Sequence, residues 1–265
     1  MAVRARHSAR GQHFLRSSAL AAEIVRAAGV GPGDLVLDLG AGTGVLTRAL
    51  TRAGARVVAV ELDPELAAGL RARFPEVLEE DIVRMPLPRE PFRVVANLPF
   101  DCTTSVLRRL FDPRSPLASA DVIVQWEVAS KRSAIWPSTR LSIEWNAWHE
   151  LSIVRRLPRC CFTPPPSVDC AVLRATRRDD PLIRVTDARR YAHFVSQGFR
   201  NGLRAIVPPR QLKSLADQLG FARSAQARDL DPSQWAALYR ATVARSKSSR
   251  SQRHTSAGRQ KWSER

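Results

Sequence analysis

The tetrapeptide Asn97-Leu98-Pro99-Phe100 combines two hydrogen-bond acceptors with an aromatic ring. The side-chain oxygen of Asn97 and the backbone carbonyl of Leu98 can accept from one amino group, and Pro99 stiffens the turn that holds them. An aromatic amine is a poor nucleophile because its lone pair is delocalised into the ring, and two such acceptors favour an sp3-like nitrogen. Phe100 would stack on the base that carries the amine. The tetrapeptide therefore indicates chemistry at an exocyclic amino group, with no general base acting before the attack.

A glycine cluster that follows the apolar run Leu35–Leu39 comprises Gly40, Ala41, Gly42, Thr43 and Gly44. Glycines let the backbone pass close to a ligand, and the amino terminus of the following helix offers amide donors to an anionic group. A dinucleotide fingerprint places its third glycine about three residues after the second. Here Gly44 comes two residues after Gly42. This spacing favours a nucleoside that carries methionine.

Acidic residues end the next two predicted strands. Glu61 lies 21 residues after Gly40, where a carboxylate can accept both ribose hydroxyls of a nucleoside. Asp81 ends the third strand and is placed to accept from the adenine amino group. We expect the residues that follow these acids, Leu62 and Ile82, to line the same site. Each feature alone is also compatible with an ordinary turn or surface, but their order and spacing together predict a nucleoside site.

Strand and helix patterns alternate from the amino terminus to about residue 126. The predicted strands are Leu35–Leu39, Val57–Val60, Val77–Leu78, Phe92–Ala96 and Val122–Trp126, and the predicted helices are Ala21–Ala28, Val45–Ala53, Pro64–Phe74 and Thr104–Phe111. This alternation is typical of a parallel sheet covered by helices on both faces. Because ligands bind beyond the carboxyl ends of such strands, the tetrapeptide after the fourth strand should face the nucleoside.

Charge is the strongest compositional signal. The 265 residues include 42 Lys and Arg against 25 Asp and Glu, a net charge of +17. Such an excess favours a polyanionic partner, and nucleic acid is the natural candidate. Most of the basic residues are arginine, which suits phosphate binding and base stacking, although a GC-rich genome would also enrich arginine.

The patterns divide the chain into four regions. We predict a basic amino-terminal arm (1–22), a cofactor-binding catalytic domain (23–178), a helical RNA-binding domain (179–243) and a basic disordered tail (244–265). Apolar residues from Tyr191 to Ile206 recur at helical spacing. Asp231 and Pro232 begin a last helix, with Trp235, Leu238 and Tyr239 on one face.

Other classes of protein have little support in the sequence. There is neither an apolar stretch of about 18 residues nor an amino-terminal signal core, so we expect a soluble cytoplasmic monomer without a membrane partner. The four cysteines lack CxxC spacing and are interpreted as reduced thiols, and the five histidines show no metal-ligand spacing, so no metal is expected. Cys102 is disfavoured as the nucleophile of a cytosine methyltransferase because Asp101, not proline, precedes it. Four tryptophans are interpreted as packing residues and not base platforms: Trp126, Trp136, Trp145 and Trp148.

Over about residues 11–240 the chain resembles the ribosomal RNA adenine N6-methyltransferase superfamily. This superfamily includes the macrolide-lincosamide-streptogramin B resistance enzymes that act on 23S rRNA and the housekeeping small-subunit adenine dimethylases. Besides the motifs above, residues 11–15 (Gly-Gln-His-Phe-Leu) are similar to its Gln-Asn-Phe-Leu segment. Residues 162–169 (Phe-Thr-Pro-Pro-Pro-Ser-Val-Asp) are similar to its Phe-x-Pro-x-Pro-x-Val-Asp signature.

The resemblance implies a Rossmann-like class I methyltransferase sheet with a small C-terminal helical domain, and S-adenosyl-L-methionine as the cofactor. It implies that Phe162 covers the target base opposite Phe100. His13 stands where the family usually has Asn, which puts a side-chain hydrogen bond to the cofactor in question. Phe100 replaces the commoner Tyr and keeps the stacking ring. The expected cofactor site comprises Gln12, His13, Leu15, Gly40, Ala41, Gly42, Thr43, Gly44, Glu61, Leu62, Asp81, Ile82 and Asn97.

Within the superfamily, the sequence favours the resistance-type 23S rRNA enzyme of actinomycetes. The reasons are the Cys102-Thr103-Thr104 continuation, the basic tail and the high arginine content. A 16S rRNA adenine N6,N6-dimethyltransferase is the main alternative, because residues 199–204 (Phe-Arg-Asn-Gly-Leu-Arg) are distantly similar to its basic C-terminal helix. A non-catalytic nucleic-acid-binding relative is a third hypothesis, and the intact motifs favour an active enzyme over it.

Overall fold

The computed structural model describes residues 12–134 and 136–243, and its centre is a seven-stranded sheet. The strands of the protein are β1 (Phe14–Leu15), β2 (Leu35–Leu39), β3 (Arg56–Glu61), β4 (Val77–Glu79), β5 (Phe92–Asn97), β6 (Leu117–Gln125), β7 (His149–Leu157), β8 (Phe162–Thr163) and β9 (Cys170–Arg177). The large sheet has the order β4-β3-β2-β5-β6-β9-β7, and β1 pairs with β8 in a second sheet. The predicted Rossmann-like α/β fold is confirmed.

The parallel part of the sheet ends at β6. Strands β2 to β6 are parallel, whereas β9 runs antiparallel to both β6 and β7. The strand predicted at Val122–Trp126 begins earlier, at Leu117, and stops at Gln125 because Trp126 begins a helix. The alternation of strands and helices thus predicts five of the seven strands. The other two, β7 and β9, lie beyond the region where the alternation holds.

The helices are α1 (Ser18–Ala28), α2 (Val45–Arg52), α3 (Pro64–Arg71), α4 (Thr103–Leu110), α5 (Trp126–Ser133), α6 (Arg140–Asn146), α7 (Ala188–Asn201), α8 (Pro209–Leu219) and α9 (232–243). Helix α1 packs on α2, α3 packs on β3 and β4, and α5 packs on β7 and β9. Within the described residues, no helix has the length and apolarity needed to cross a membrane.

The amino-terminal arm predicted at 1–22 includes regular structure in its second half. Residues 1–11 lie outside the described residues, but β1 and the first turn of α1 both fall within 12–22. The helix begins at Ser18 and not at Ala21, because the Ser17 side chain accepts a hydrogen bond from the Leu20 amide at 3.1 Å. Gly29, with a φ of 64°, ends it as predicted.

The described residues fall into two compact units. The first contains the residues up to Ser133 together with Trp148–Asp180, and the second contains Ala134–Ala147 and the residues from Pro181 onward. The segment 134–147, which we predicted inside the catalytic domain 23–178, therefore belongs to the second unit. The reason is α6, which packs on α7 and buries Ile143 and Trp145.

The second unit is held together by aromatic packing between α7 and α9. The Phe199 and Trp235 rings stack with centroids 5.4 Å apart, and the Tyr191 and Tyr239 rings meet edge to face at 5.4 Å. The Asp231 side chain accepts from the Gln234 amide at 2.8 Å, which caps α9 at the position expected from the sequence. The tail predicted at 244–265 lies outside the described residues.

Candidate active site

The glycine cluster forms a turn between β2 and α2 that is bonded to the end of β3. The amides of Gly40 and Ala41 both donate to the Val60 carbonyl, at 2.8 and 3.0 Å. Gly42 has a φ of 56°, and a Cβ atom there would lie 2.8 Å from the Phe14 ring. A side chain at position 42 is excluded on both counts, so only glycine allows the turn and the Phe14 ring to pack this closely.

Glu61 ends β3 and turns its buried carboxylate toward this turn. One carboxylate oxygen accepts from the Gly42 amide at 2.8 Å, and the other accepts from the Leu62 and Asp63 amides at 2.8 and 3.0 Å. A carboxylate has about four acceptor positions, so three are filled from within the described chain. Glu61 therefore fixes the glycine turn and keeps capacity for one ribose hydroxyl, fewer than the two expected from the sequence.

Asp81 and Ile82 follow β4 in a short loop. Asp81 is partly exposed; one of its oxygens accepts from the Val83 amide at 2.8 Å, and the other lies 3.6 Å from the Arg84 guanidinium. Ile82 is buried, whereas Leu62 on the neighbouring loop is 46% exposed. The arrangement leaves a carboxylate edge and apolar side chains for an adenine ring.

Arg109, on α4, binds the backbone of this loop. The sequence did not predict this role. Its guanidinium donates to the Ile82 carbonyl at 2.6 Å and also to the Met85 carbonyl. Both bonds are made to backbone atoms, so no pairing of charges in the sequence points to them. Arg109 fixes the position of the two residues expected at the adenine.

The Asn97 side chain, at the end of β5, uses its nitrogen in a hydrogen bond, whereas its oxygen has no partner among the described residues. Its nitrogen donates to the His13 carbonyl at 2.7 Å. Its oxygen is buried and has no hydrogen-bond partner among the described residues. A buried acceptor without a partner is costly, which indicates that a ligand or substrate donates to it.

The turn after Asn97 is fixed at both ends. The Leu98 amide donates to the Ile123 carbonyl of β6 at 3.2 Å. The Thr103 hydroxyl, at the start of α4, donates to the Pro99 carbonyl at 2.8 Å. The turn is thus anchored to the next strand and to the following helix, which leaves little freedom at the acceptor atoms.

His13 joins the two loops that carry the aromatic residues of the motifs. Its ring lies 5.1 Å from the Phe100 ring, and its Nδ1 atom lies 2.8 Å from the Pro164 carbonyl oxygen. The pairing of β1 with β8 brings these segments together, with Leu15 opposite Phe162. Gln12 precedes β1 and is half-buried. The side chain at position 13 therefore has structural partners although it differs from the family's Asn.

The structure does not bring Phe162 to the surface of the site. Its ring is 1% exposed and packs in a core cluster with Leu15. The reason is the β1–β8 pairing, which turns both side chains into the core. The expectation that Phe162 covers the target base opposite Phe100 is therefore not met in this structure. Phe100 itself is half-buried.

Asp38, in β2, is a second residue that we missed. It is 1% exposed; one oxygen accepts from the Thr47 hydroxyl at 2.6 Å, and the other has no partner among the described residues. Burial raises the pKa of this carboxyl to about 7, with the Thr47 hydrogen bonds opposing the rise. An acid within the strand, two residues before the glycine cluster, is the signal that would have revealed it.

The surroundings of Cys102 disfavour the reactive thiolate. Burial, with the Asp101 charge adding to it, raises the pKa of this thiol to about 12. A thiol with such a pKa is protonated at neutral pH and does not attack carbon. This agrees with the rejection of cytosine C5 chemistry from the sequence.

A small recess lies beside the glycine turn, and Asp38, Gly40, Thr43 and Asn97 are among its lining residues. The described lining residues include no Lys or Arg, which is unsuited to a pyrophosphate. Carboxylates instead follow one another along the strand ends, at Asp38, Glu61 and Asp81. They match a ligand that presents an ammonium, ribose hydroxyls and an adenine amine, and S-adenosyl-L-methionine has all three.

The sheet and this series of acceptors define an S-adenosyl-L-methionine-dependent methyltransferase. The family model for ribosomal RNA adenine dimethylase matches residues 3–241. The chain belongs to this family of rRNA adenine N6-methyltransferases.

Relatives include enzymes named for both ribosomal subunits. The mycinamicin-resistance protein MyrB of Micromonospora griseorubida is 36% identical, over 90% of this chain and 79% of the relative. The ribosomal RNA small subunit methyltransferase A of Thermosynechococcus vestitus is also 36% identical, over 86% of this chain and 93% of the relative. The crystal structure of the 23S rRNA methyltransferase ErmE superimposes with a TM-score of 0.77 and 30% identity, over 86% of this chain and 98% of that one.

Proposed function

We propose that this protein methylates N6 of an adenine in 23S rRNA and thereby confers resistance to macrolide, lincosamide and streptogramin B antibiotics. The observation that carries the choice of 23S rRNA is the similarity to ErmE, which covers 98% of that structure with a TM-score of 0.77. The similarity to a protein named for mycinamicin resistance supports it. So do the Cys102-Thr103-Thr104 continuation and the arginine-rich composition.

The proposed role of Asn97 is to prepare the target amine. Its side-chain oxygen and the Leu98 carbonyl accept the two hydrogens of N6, which withdraws the nitrogen lone pair from the ring and directs it at the methyl donor. When bound, the cofactor supplies an electrophilic methyl group on its sulfonium. As N6 forms its new bond to the methyl carbon, the bond from that carbon to sulfur would break and leave its electron pair on the sulfur. N6 becomes positively charged, and the same two oxygens stabilise that charge until one proton leaves to water.

Phe100 is proposed to stack on the target adenine. A base paired in a helix cannot bring N6 to a buried turn, so the adenine is single-stranded or flipped out. The His13 ring beside Phe100 limits the movement of this platform. One stacked base contributes about 1 to 3 kcal/mol, which offsets part of the cost of unstacking.

The residues proposed to hold the cofactor follow the order of the strands. Asp38 and the turn Gly40–Gly44 face its methionine part, Glu61 accepts from the ribose, and Asp81 accepts from the adenine. Leu62 and Ile82 cover the adenine ring. This assignment is supported by the acceptor atoms of Asp38 and Asn97 that no described residue fills.

A 16S rRNA adenine dimethyltransferase is the second candidate function. The small subunit methyltransferase A of Thermosynechococcus vestitus is as similar in identity as MyrB, and the chain covers 93% of its length. The proposed chemistry at Asn97 is the same for both substrates, so the two candidates differ in the RNA and not in the catalytic turn.

Separate methylation of the two rRNAs distinguishes the candidates. The purified protein, with labelled S-adenosyl-L-methionine, would be given protein-free 23S and 16S transcripts, and modified adenines would be mapped by primer extension. We expect label in the 23S transcript only, at one adenine. Label confined to 16S rRNA overturns the 23S assignment. Expression in a susceptible host should raise the inhibitory concentration of a macrolide, whereas the Asn97→Ala variant should not.

A further inference from the structure

A stacked arginine near the end of β7 lies against Trp126, the residue that follows β6, outside the Asn97–Phe100 turn. The Arg156 guanidinium lies 4.6 Å above the centre of the Trp126 ring. Its Nε and Nη2 atoms donate to one Asp169 oxygen at 3.1 and 2.9 Å. The Arg156 side chain is nevertheless 58% exposed. We call Trp126, Arg156 and Asp169 the arginine platform: the ring supports the guanidinium on one side and the carboxylate fixes its edge.

The platform is preorganised by backbone contacts of Asp169. The Asp169 carbonyl accepts from the Trp126 amide at 2.9 Å, and its second carboxylate oxygen accepts from the Arg159 amide at 3.1 Å. The Arg159 amide and the Arg156 guanidinium hold the pKa of this carboxyl below its usual value. The carboxylate stays ionised at neutral pH, and the arginine is held in place before any ligand arrives.

The platform lies at the edge of the sheet where the substrate must bind. Ile123 of β6 is the register partner of Asn97. Trp126 follows Ile123 by three residues, as Phe100 follows Asn97 by three. Because β5 and β6 are parallel, both aromatic residues emerge at the same edge, within about 10 Å of the strand ends. The platform is therefore close enough to meet nucleotides next to the target adenine.

The chemistry of the platform favours a nucleobase as its ligand. Guanidinium planes stack on bases as aromatic rings do, and bases in single-stranded RNA are recognised in this way. The Asp169 charge offsets that of Arg156, which weakens the attraction for a phosphate but not the stacking surface. We propose that the arginine platform holds the base of a nucleotide adjacent to the methylated adenine. The platform would give Trp126 a role beyond packing. Of the other predicted packing residues, Trp145 and Trp148 are buried as expected, whereas Trp136 is 59% exposed and departs from the expectation.

This inference rests on the proposed methylation of an rRNA adenine and not on the choice of subunit. A short synthetic RNA carrying the mapped adenine is the probe. For Arg156→Gln we expect a KM for RNA about tenfold higher, with kcat and the KM for S-adenosyl-L-methionine unchanged. Arg156→Lys should behave similarly because it keeps the charge but loses the plane. The matched control is Arg155→Gln, which removes one charge from a half-exposed neighbour that pairs with Glu23; its KM for RNA should change less than twofold.

Abasic substitution separates stacking from a merely structural role. Each nucleotide that flanks the adenine would be replaced in turn by an abasic one. At one position, the abasic nucleotide should lower kcat/KM of the wild-type protein about tenfold. The same RNA should cause no further loss of kcat/KM in Arg156→Gln. No loss at any flanking position, or equal losses in both proteins, overturns the proposal. If the Arg156 variants fail to fold, the scan on the wild type and on Trp126→Phe still decides it. Mapping of label to the other subunit would contradict the 23S assignment alone.

Discussion

At the scale of single residues, the orientation of the Asn97 amide is the feature on which the proposed chemistry depends. The nitrogen of this amide donates to a backbone carbonyl, that of His13. A reversed amide would set two oxygens against each other, so the free oxygen must face the site. Because the contact uses the His13 backbone, it is independent of the side chain at position 13. The replacement of the family's Asn by His therefore leaves this contact intact.

Asp38 predicts a pH dependence of cofactor binding. The pKa of the Asp38 carboxyl is about 7 in the unliganded protein. A cationic ammonium beside it would favour the ionised form. Below pH 7, binding of the cofactor therefore releases a proton from this carboxyl. We expect the affinity for S-adenosyl-L-methionine to rise about tenfold between pH 6 and pH 8. Asp38→Asn should bind more weakly at pH 8 and show no such rise. Calorimetry in two buffers measures both the affinity and the proton; a flat wild-type profile contradicts the assignment.

The Asp38 carboxyl affects folding stability with the opposite pH dependence: its contribution falls as the pH rises. Because its pKa is raised on folding, the folded state binds more protons than the unfolded state between pH 4 and pH 7. Its contribution is thus fully present below about pH 4 and is lost as the pH rises through 7. The melting temperature of the unliganded wild type, measured relative to that of Asp38→Asn, should therefore fall as the pH is raised from about 4 to above 7.

At the scale of elements, α4 connects the Asn97–Phe100 turn with the loop that carries Asp81 and Ile82. Thr103 at its first turn donates to the Pro99 carbonyl, and Arg109 near its end donates to the Ile82 carbonyl. The sequence predicts the helix, but it does not reveal these contacts because both are made to backbone carbonyls, which carry no sequence signal. The β1–β8 pair is hidden for a similar reason, since two strands of two residues have no periodicity.

Arg109→Met tests the connection made by α4. Loss of both backbone contacts should loosen the Asp81–Ile82 loop and raise the KM for S-adenosyl-L-methionine about tenfold, because each hydrogen bond from a charged group contributes about 1.5 to 3 kcal/mol. The kcat at saturating cofactor should stay within about threefold. Arg108→Met, which changes an exposed neighbour on the same helix, is the control. Equal effects of the two substitutions would exclude a specific role for Arg109.

At the scale of the whole molecule, the strand ends and the acids that follow them could be predicted because strand and helix periods alternate from residue 35 to 126. The second unit was predicted less completely. Segment 134–147 interrupts the sheet in sequence but packs with α7, and a pattern read along the chain cannot show which core a short helix joins.

The charge of the chain predicts a strong effect of salt on RNA binding. Between residues 200 and 210 of the second unit, three arginines are exposed and form no ion pair with a described residue, namely Arg200, Arg204 and Arg210. We propose that they contact RNA phosphates. The KM for RNA should rise at least about tenfold between roughly 50 and 200 mM salt. The KM for S-adenosyl-L-methionine should change little. A weak salt dependence of RNA binding would contradict a phosphate-dominated interface.

Nucleoside mass spectrometry of the methylated rRNA tests the central claim most directly. The wild-type protein should produce adenosine methylated at N6. Asn97→Ala should bind S-adenosyl-L-methionine but form this product at least about a hundredfold more slowly, because it lacks the acceptor that prepares the amine. A methyl group on another atom or base, or wild-type rates from Asn97→Ala, would contradict the account.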